Sequence, residues 1–173
     1  MLMILMTGLS GAGKSTLAEE LLSKLLAINV PAEVIDGDAY RKTINADLSF
    51  SADDRKENIR RLCKVACDKN REGVIAIVAA INPFEDLRVE LVKQYGAKII
   101  WVKCSLSVLT KRDTKGLYRK ALLPDDHPDK LWNLTGVNDP YEIPVQADLV
   151  IDTSESSIEA CTQQSFNYVS NFI

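Results

Sequence analysis

Gly8-Leu9-Ser10-Gly11-Ala12-Gly13-Lys14-Ser15 is the stretch from which the rest of the chain is read. It fits G-x-x-x-x-G-K-[ST], a loop whose glycines let backbone N–H groups turn inward on a phosphate. Its flanks agree. Leu2 to Met6 is an apolar run of strand length, and Thr16 to Ile28 carries Leu17, Leu21, Leu25 and Ile28 at helical spacing. A strand, a glycine loop and a helix N-terminus together make an anion site. There Gly8, Ser10, Gly11, Ala12, Gly13, Lys14, Ser15 and Thr16 would surround a nucleoside triphosphate. The Lys14 ammonium would reach the β- and γ-phosphates, and the Ser15 hydroxyl would sit on Mg²⁺.

Outward from this unit, strand and helix patterns alternate. Ala32 to Ile35, Val74 to Ala79, Lys98 to Cys104 and Leu149 to Ile151 read as strands. Helices are expected around Tyr40, Arg41 and Ile44, after the Ser51 cap, from Pro83 to Tyr95, from Ser107 to Arg112 and from Ser156 to Phe172. Ile158, Cys161, Ser165, Val169 and Phe172 would share the inner face of the last helix. Alternation from end to end predicts an α/β fold, a parallel sheet with helices on both faces, in a single domain over residues 1–173. Residues 114–144 lack periodicity, and a long irregular segment in a small domain is often a mobile lid. Ligands of such sheets bind beyond the carboxyl ends of the strands, so the glycine loop, Asp36, Asp38, Ile81 and Thr153 should surround one cleft.

Composition narrows the function classes. The 173 residues are 46% hydrophobic and 26% charged, as in an ordinary globular domain. A net charge of -3 argues against a protein built to grip nucleic acid. The four cysteines (Cys63, Cys67, Cys104, Cys161) fall within apolar patterns, which fits a reducing cytoplasmic setting. No run is long and apolar enough for a membrane span. His127 has no companion at metal-ligand spacing and reads as a loop residue.

Two groups of side chains could carry chemistry beside the loop. Asp36 and Asp38 stand two apart at a strand end, where extended backbone can turn both to the cleft. One could serve the metal and the other the attacking hydroxyl; the competing reading is an Asp-Gly turn with Asp38 as a helix N-cap. Arg41 and Arg55 flank Phe50, a pattern able to stack a base while guanidinium groups take phosphate or sulfate oxygens, though each arginine alone also suits a solvated helix face.

Taken in order, these motifs resemble the adenylylsulfate kinase family. The match includes the glycine loop, Asp36-Gly37-Asp38 with Arg41, Leu48-Ser49-Phe50-Ser51 and Asp54 to Arg61. It continues through Arg112-Asp113-Thr114-Lys115-Gly116-Leu117-Tyr118, Thr135 to Glu142 and Ile151-Asp152-Thr153. The resemblance implies the P-loop kinase fold with a five-stranded parallel core, and transfer of phosphate from MgATP to the ribose 3′-hydroxyl of adenylylsulfate. It implies that Lys14, Asp38 and Asp36 are catalytic, with Asp38 near the hydroxyl and Asp36, like Ser15, near the metal. Arg41, Arg55 and Asn58 would hold the acceptor's anionic end, Phe50 would stack on its base, and Ile81 would touch it. Arg112 would pack on the ATP base and Lys115 would belong to the lid. Members often form dimers, so a homodimer is expected.

Three departures from the family pattern bear on the acceptor. Members commonly have Ile-Ser-Pro where this chain has Ile81-Asn82-Pro83, so a phosphoserine form is closed to it and direct in-line transfer is expected. The usual Phe-Thr-Gly is Leu134-Thr135-Gly136, which removes an aromatic from the acceptor site. Residues 122–132 form a longer lid segment than usual. A related alternative is therefore a 3′-hydroxyl kinase for another nucleotide, such as cytidine diphosphoramidate of capsule modification. A regulatory NTPase and a non-catalytic partner protein are weaker alternatives, because no Asn-Lys-x-Asp motif is present and Lys14, Ser15 and Asp38 are retained.

Overall fold

Every residue of the first strand, β1 (Met3–Thr7), is buried, because this strand lies at the centre of the sheet. In the computed structural model, which describes residues 1–173, it is joined by β2 (Ala32–Asp36), β3 (Ile75–Ala79), β4 (Lys98–Lys103) and β5 (Leu149–Asp152). All neighbours pair in parallel, in the order β2-β3-β1-β4-β5. The period-two alternation of β1 feeds two cores: Ile4 and Met6 face one side, Met3 and Leu5 the other.

Helices α1 (Lys14–Ala27) and α7 (Ile158–Val169) cover the Ile4 side, and α3 (Ala52–Arg71) with α4 (Glu85–Tyr95) cover the Met3 side. On α1, Leu17, Leu21 and Leu25 are fully or nearly fully buried. Each such side chain contributes about 1.5–3 kcal/mol of transfer free energy. That burial holds the helix N-terminus against the end of β1. Short helices α2 (Gly37–Arg41), α5 (Leu106–Arg112) and α6 (Leu117–Ala121) lie at the carboxyl end of the sheet. A 3₁₀ turn, Ser170–Phe172, closes the chain.

The structure moves several expected boundaries. β1 and β2 run on to Thr7 and Asp36, β3 begins at Ile75, and Cys104 follows β4. Pro83 does not open α4; Glu85 does, after Phe84 in the N-cap place, because Asn82 sits at a positive φ of 43° and turns the chain first. Ile44 lies beyond α2 and is exposed. Ile158 and Phe172 point outward, since Ser157 caps α7 at Ile158 and the inner face runs through Cys161, Thr162, Ser165 and Val169. Residues 114–144 are less irregular than expected. They contain α6, and they bury Tyr118, Ala121, Leu134 and Thr135 in or beside the core.

Candidate nucleotide-binding site

The glycine loop connects β1 to α1 as expected, and its shape follows from contacts. Gly8 lies so close to β4 that a Cβ there would collide with the Val102 carbonyl oxygen. At the far end Gly13 takes a left-handed φ of 99°, and α1 starts at Lys14. The first N–H groups of the helix therefore have no intrahelical partner and face the cleft. Thr153, after β5, braces the loop from behind by donating its hydroxyl to the Ala12 carbonyl at 2.9 Å.

A cavity of about 590 Å³ opens in front of the loop. Ser10, Gly11, Gly13, Lys14, Ser15 and Thr16 line its floor, Asp36 and Asp38 one flank, and Ala79, Ala80 and Ile81 the end of β3. Phe50 and Arg55 form a further wall, facing Thr114, Lys115, Leu117, Leu131, Asn133, Leu134 and Thr135 of the lid segment. Gly8, Ala12, Arg41, Asn58, Arg112 and Thr153 do not line it. Gly8 and Ala12 shape the loop from within. Arg112 donates to the Thr153 carbonyl at 2.6 Å. Arg41 reaches the cleft indirectly, with its guanidinium carbon 4.5 Å from the centre of the Phe50 ring and one nitrogen bonded to the Ser49 carbonyl. Asn58 is buried, with its side-chain oxygen accepting from Asn45 at 3.0 Å.

The charged groups of the cleft are paired with one another. Asp36, not Asp38, is the N-cap of α2: one carboxylate oxygen accepts from the N–H groups of Asp38 and Ala39, and the other accepts the Ser15 hydroxyl at 2.5 Å. Two hard oxygens thus meet at the end of the loop, a donor set that suits Mg²⁺ when phosphate oxygens complete the shell. No cluster of three His, Cys, Asp or Glu side chains exists that would form a metal cage of protein ligands alone. Lys14 folds back on its own loop and donates to the Leu9 carbonyl at 2.8 Å. Burial pulls its ammonium down from 10.5 to about 8, against the pull of Asp38. Asp38 pairs with Lys115 of the lid. Burial works against its charged form, but the Lys115 hydrogen bond and charge, helped by Lys14, hold the carboxyl below the usual range.

Several residues have structural roles here that the sequence did not specify. Tyr118 is buried and donates its hydroxyl to the Ser10 carbonyl at 2.7 Å, fastening α6 to the glycine loop. Gly136, at a positive φ of 87°, packs against Leu9 so closely that a Cβ would overlap it. Arg88 is 1% exposed and donates to the Asn82 and Glu142 carbonyls and to the Glu85 carboxylate, which ties the β3–α4 turn to the end of the lid segment. Its only clue was a charge between Leu87 and Leu91 on an otherwise apolar face. Asn82, buried in that turn, has an amide with no protein hydrogen bond.

Comparison with known proteins agrees with this geometry. The family described as adenylylsulphate kinase matches residues 1–152. The chain is similar to the adenylyl-sulfate kinase of Synechococcus sp. (strain JA-3-3Ab), at 44% identity over 156 residues, covering 90% of this chain and 86% of that protein. It is similar to that of Bacillus pumilus (strain SAFR-032), also at 44% identity, covering 96% and 83%. Among solved structures, the Mycobacterium tuberculosis APS kinase in complex with AMPPNP and APS superposes with a TM-score of 0.89 at 34% identity, covering 98% of this chain and 97% of that one.

Proposed function

The chain belongs to the adenylylsulphate kinase family, and from that premise we propose that it transfers the γ-phosphoryl group of ATP to the ribose 3′-hydroxyl of adenylylsulfate, giving 3′-phosphoadenylylsulfate and ADP. The observation that supports the reading is that one cavity is lined both by a complete phosphate loop and by Asp38, Phe50, Arg55, Ile81 and Leu134, more than a triphosphate alone needs. A switch-type NTPase needs only the phosphate loop.

The side chains then divide the work. Backbone N–H groups of the loop and the α1 N-terminus bind the ATP phosphates, and Lys14 leaves the Leu9 carbonyl to neutralise charge on the transferring group. Ser15 and Asp36 would hold Mg²⁺, which supplies charge neutralisation and orientation of the phosphates. Asp38 leaves Lys115 and accepts the proton of the 3′-hydroxyl as the new P–O bond forms and the bond to ADP breaks. Both partners of that pair are more than half exposed, so opening it costs no more than about 1 kcal/mol. Lys115 is then free to follow the phosphoryl group. Asn82 cannot become a phosphoserine, which supports direct in-line transfer without a covalent intermediate. Arg112 beside Thr153 fits packing on the ATP base. Arg41 supports Phe50 and offers its remaining N–H groups to the acceptor's anion. The active species is taken to be a homodimer, which light scattering on the purified protein checks directly.

Steady-state assays with adenylylsulfate and with cytidine diphosphoramidate at one ATP concentration test the function. The expected result is a higher kcat/KM for adenylylsulfate. A higher value for the cytidine compound would reject adenylylsulfate as the physiological acceptor.

A further inference from the structure

The ladder between β1 and β3 stops just short of the cavity, and a side chain carries it further. The strand pairing ends with Met6 opposite Ala79, after which the Ala80 N–H donates to the Met6 carbonyl at 3.2 Å. The next backbone link, from the Gly8 N–H to the Ile81 carbonyl, is stretched to 3.4 Å. The same carbonyl accepts the Thr7 hydroxyl at 2.6 Å. Thr7 is the last residue of β1 and is fully buried. A hydroxyl has a single proton to give. The Asn82 carbonyl, at 3.1 Å, takes the weaker share of it, so the Tyr141 hydroxyl, also 3.1 Å away, is the donor to the Thr7 oxygen.

Ile81 opens a turn that is held from outside. The carbonyls of Ile81, Asn82 and Pro83 all accept bonds from distant parts of the chain: from Thr7, from Arg88 at 2.5 Å, and from the Glu142 N–H at 2.9 Å. The turn's own polar side chain gives no such support, because the Asn82 amide makes no protein hydrogen bond. Arg88 and Glu142 secure the far end. The Thr7 hydroxyl is the short bond at the near end, where Ile81 lines the cavity. A buried carbonyl that loses its partner is left unsatisfied, and a turn with no internal brace shifts to find another.

We propose that Thr7 is a positioning residue for the acceptor: its hydroxyl fixes the turn after β3, and with it the Ile81 surface of the cavity. Thr7 does not line the cavity, so its effect reaches the acceptor only through Ile81. The inference rests on the reading of adenylylsulfate as the acceptor and of Ile81 as part of its site. The glycine loop does not share this dependence. Its shape is set by the approach of Gly8 to Val102 and by the Thr153 brace on Ala12, so ATP binding should be spared when the hydroxyl is lost.

The test compares three variants: Thr7→Val removes the hydroxyl, Thr7→Ser keeps it, and Tyr141→Phe removes only the donor to it. KM for adenylylsulfate, KM for ATP, kcat and the melting temperature are measured for each. Thr7→Val is expected to raise the adenylylsulfate KM about tenfold, with kcat and the ATP KM within about twofold of wild type. Thr7→Ser should stay near wild type in all three constants, and Tyr141→Phe should give the Thr7→Val pattern at about threefold. A Thr7→Val protein with a lower melting temperature and an unchanged adenylylsulfate KM would overturn the proposal, because the hydroxyl would then serve stability alone. So would an equal rise in the ATP KM, which would place the effect in the glycine loop, or a Thr7→Ser protein as impaired as Thr7→Val. If Thr7→Val does not fold by circular dichroism, Tyr141→Phe decides alone, and an unchanged adenylylsulfate KM there rejects the proposal. A wild-type protein that does not phosphorylate adenylylsulfate would reject the acceptor reading and this inference with it. A wild type active on adenylylsulfate, with unchanged variants, rejects only the positioning role.

Discussion

Eight consecutive residues, Gly8 to Ser15, make the donor half of the cleft, whereas the acceptor half is assembled from four separated places: Asp38 after β2, Phe50 and Arg55 around the start of α3, Ile81 after β3, and Leu134 in the lid segment. The donor half depends on local backbone geometry, set by the approach of Gly8 to β4 and by the helix that begins at Lys14. The acceptor half depends on side-chain bonds across the fold, with Arg55 joining positions about eighty residues apart. A locally built site tolerates little change within its few residues. A site built at long range can trade one wall residue for another while the remaining bonds hold. The departures from the family pattern fall accordingly. Leu134 lines the cavity, as does Leu131 of the segment 122–132, and Asn82 directly follows the lining residue Ile81, whereas the phosphate loop is intact.

The largest effect expected from this division is on the donor side. Lys14→Ala removes the only loop ammonium able to reach the γ-phosphate, and kcat should fall by roughly 10²-fold or more. Because Lys14 takes no part in the acceptor half, equilibrium binding of adenylylsulfate alone should stay close to wild type. Near-normal turnover would break the donor assignment. A parallel loss of adenylylsulfate affinity would break the separation of the two halves.

A smaller effect comes from the proton on Lys14. Burial holds its folded-state value at about 8 against 10.5 in an open chain. Between those values the unfolded chain keeps a proton that the folded protein gives up. This group therefore destabilises the free protein below pH 8, and its penalty is relieved as the pH rises through the window. The triphosphate works the other way, since its charge favours the ammonium. ATP should thus bind with proton uptake above pH 8, and its affinity should weaken by up to about tenfold per pH unit there. Calorimetric titrations at pH 8.5, taken as roughly half a unit above that value, in buffers of different ionisation enthalpy measure the uptake. Zero uptake would mean that Lys14 is not the group facing the phosphates.

The same contrast governs how much could be read in the sequence. The glycine loop and its flanking strand and helix were legible because every determinant lies within about twenty residues and follows from chain geometry. The sheet was legible as well, since Ile75–Ala79 and the other strands are short apolar runs between helices. Asp36 and Asp38 were placed at the cleft but with their local roles confused: spacing alone does not say which carboxylate caps α2, and the Ser15 contact that turns Asp36 inward is made across the sheet. Phe50 with Arg41 and Arg55 was legible as a candidate base-stacking and anion-binding group, but Leu134 joined it only through resemblance to a family, because no local pattern brings it there. Asn58, expected beside them, does not line the cavity in this structure, and its amide oxygen accepts from Asn45. The buried Arg88 and the Tyr118 bond to Ser10 are long-range hydrogen bonds, and composition and periodicity carry no record of such partners.

The finest test of the acceptor half is Leu134→Phe. Leu134 is 5% exposed and lines the same cavity as Phe50, so a ring there would add a second aromatic to the lining. Aromatic stacking on a base contributes about 1 kcal/mol beyond simple burial, which predicts a roughly fivefold lower Kd for adenylylsulfate. The gain competes with overpacking, since Leu134 also touches the buried core shared with Tyr118 and Ala121, and an oversized side chain there costs about 1–3 kcal/mol of stability. The two effects separate by measurement: packing strain lowers the melting temperature of the free protein, while stacking changes the adenylylsulfate Kd and leaves the ATP Kd as it was. Tighter adenylylsulfate binding with a lower melting temperature would show that the Leu134 wall is an aromatic site filled here by a smaller residue. An unchanged or weaker Kd at an unaltered melting temperature would mean that the Leu134 wall is already shaped for its base and gains nothing from a second ring.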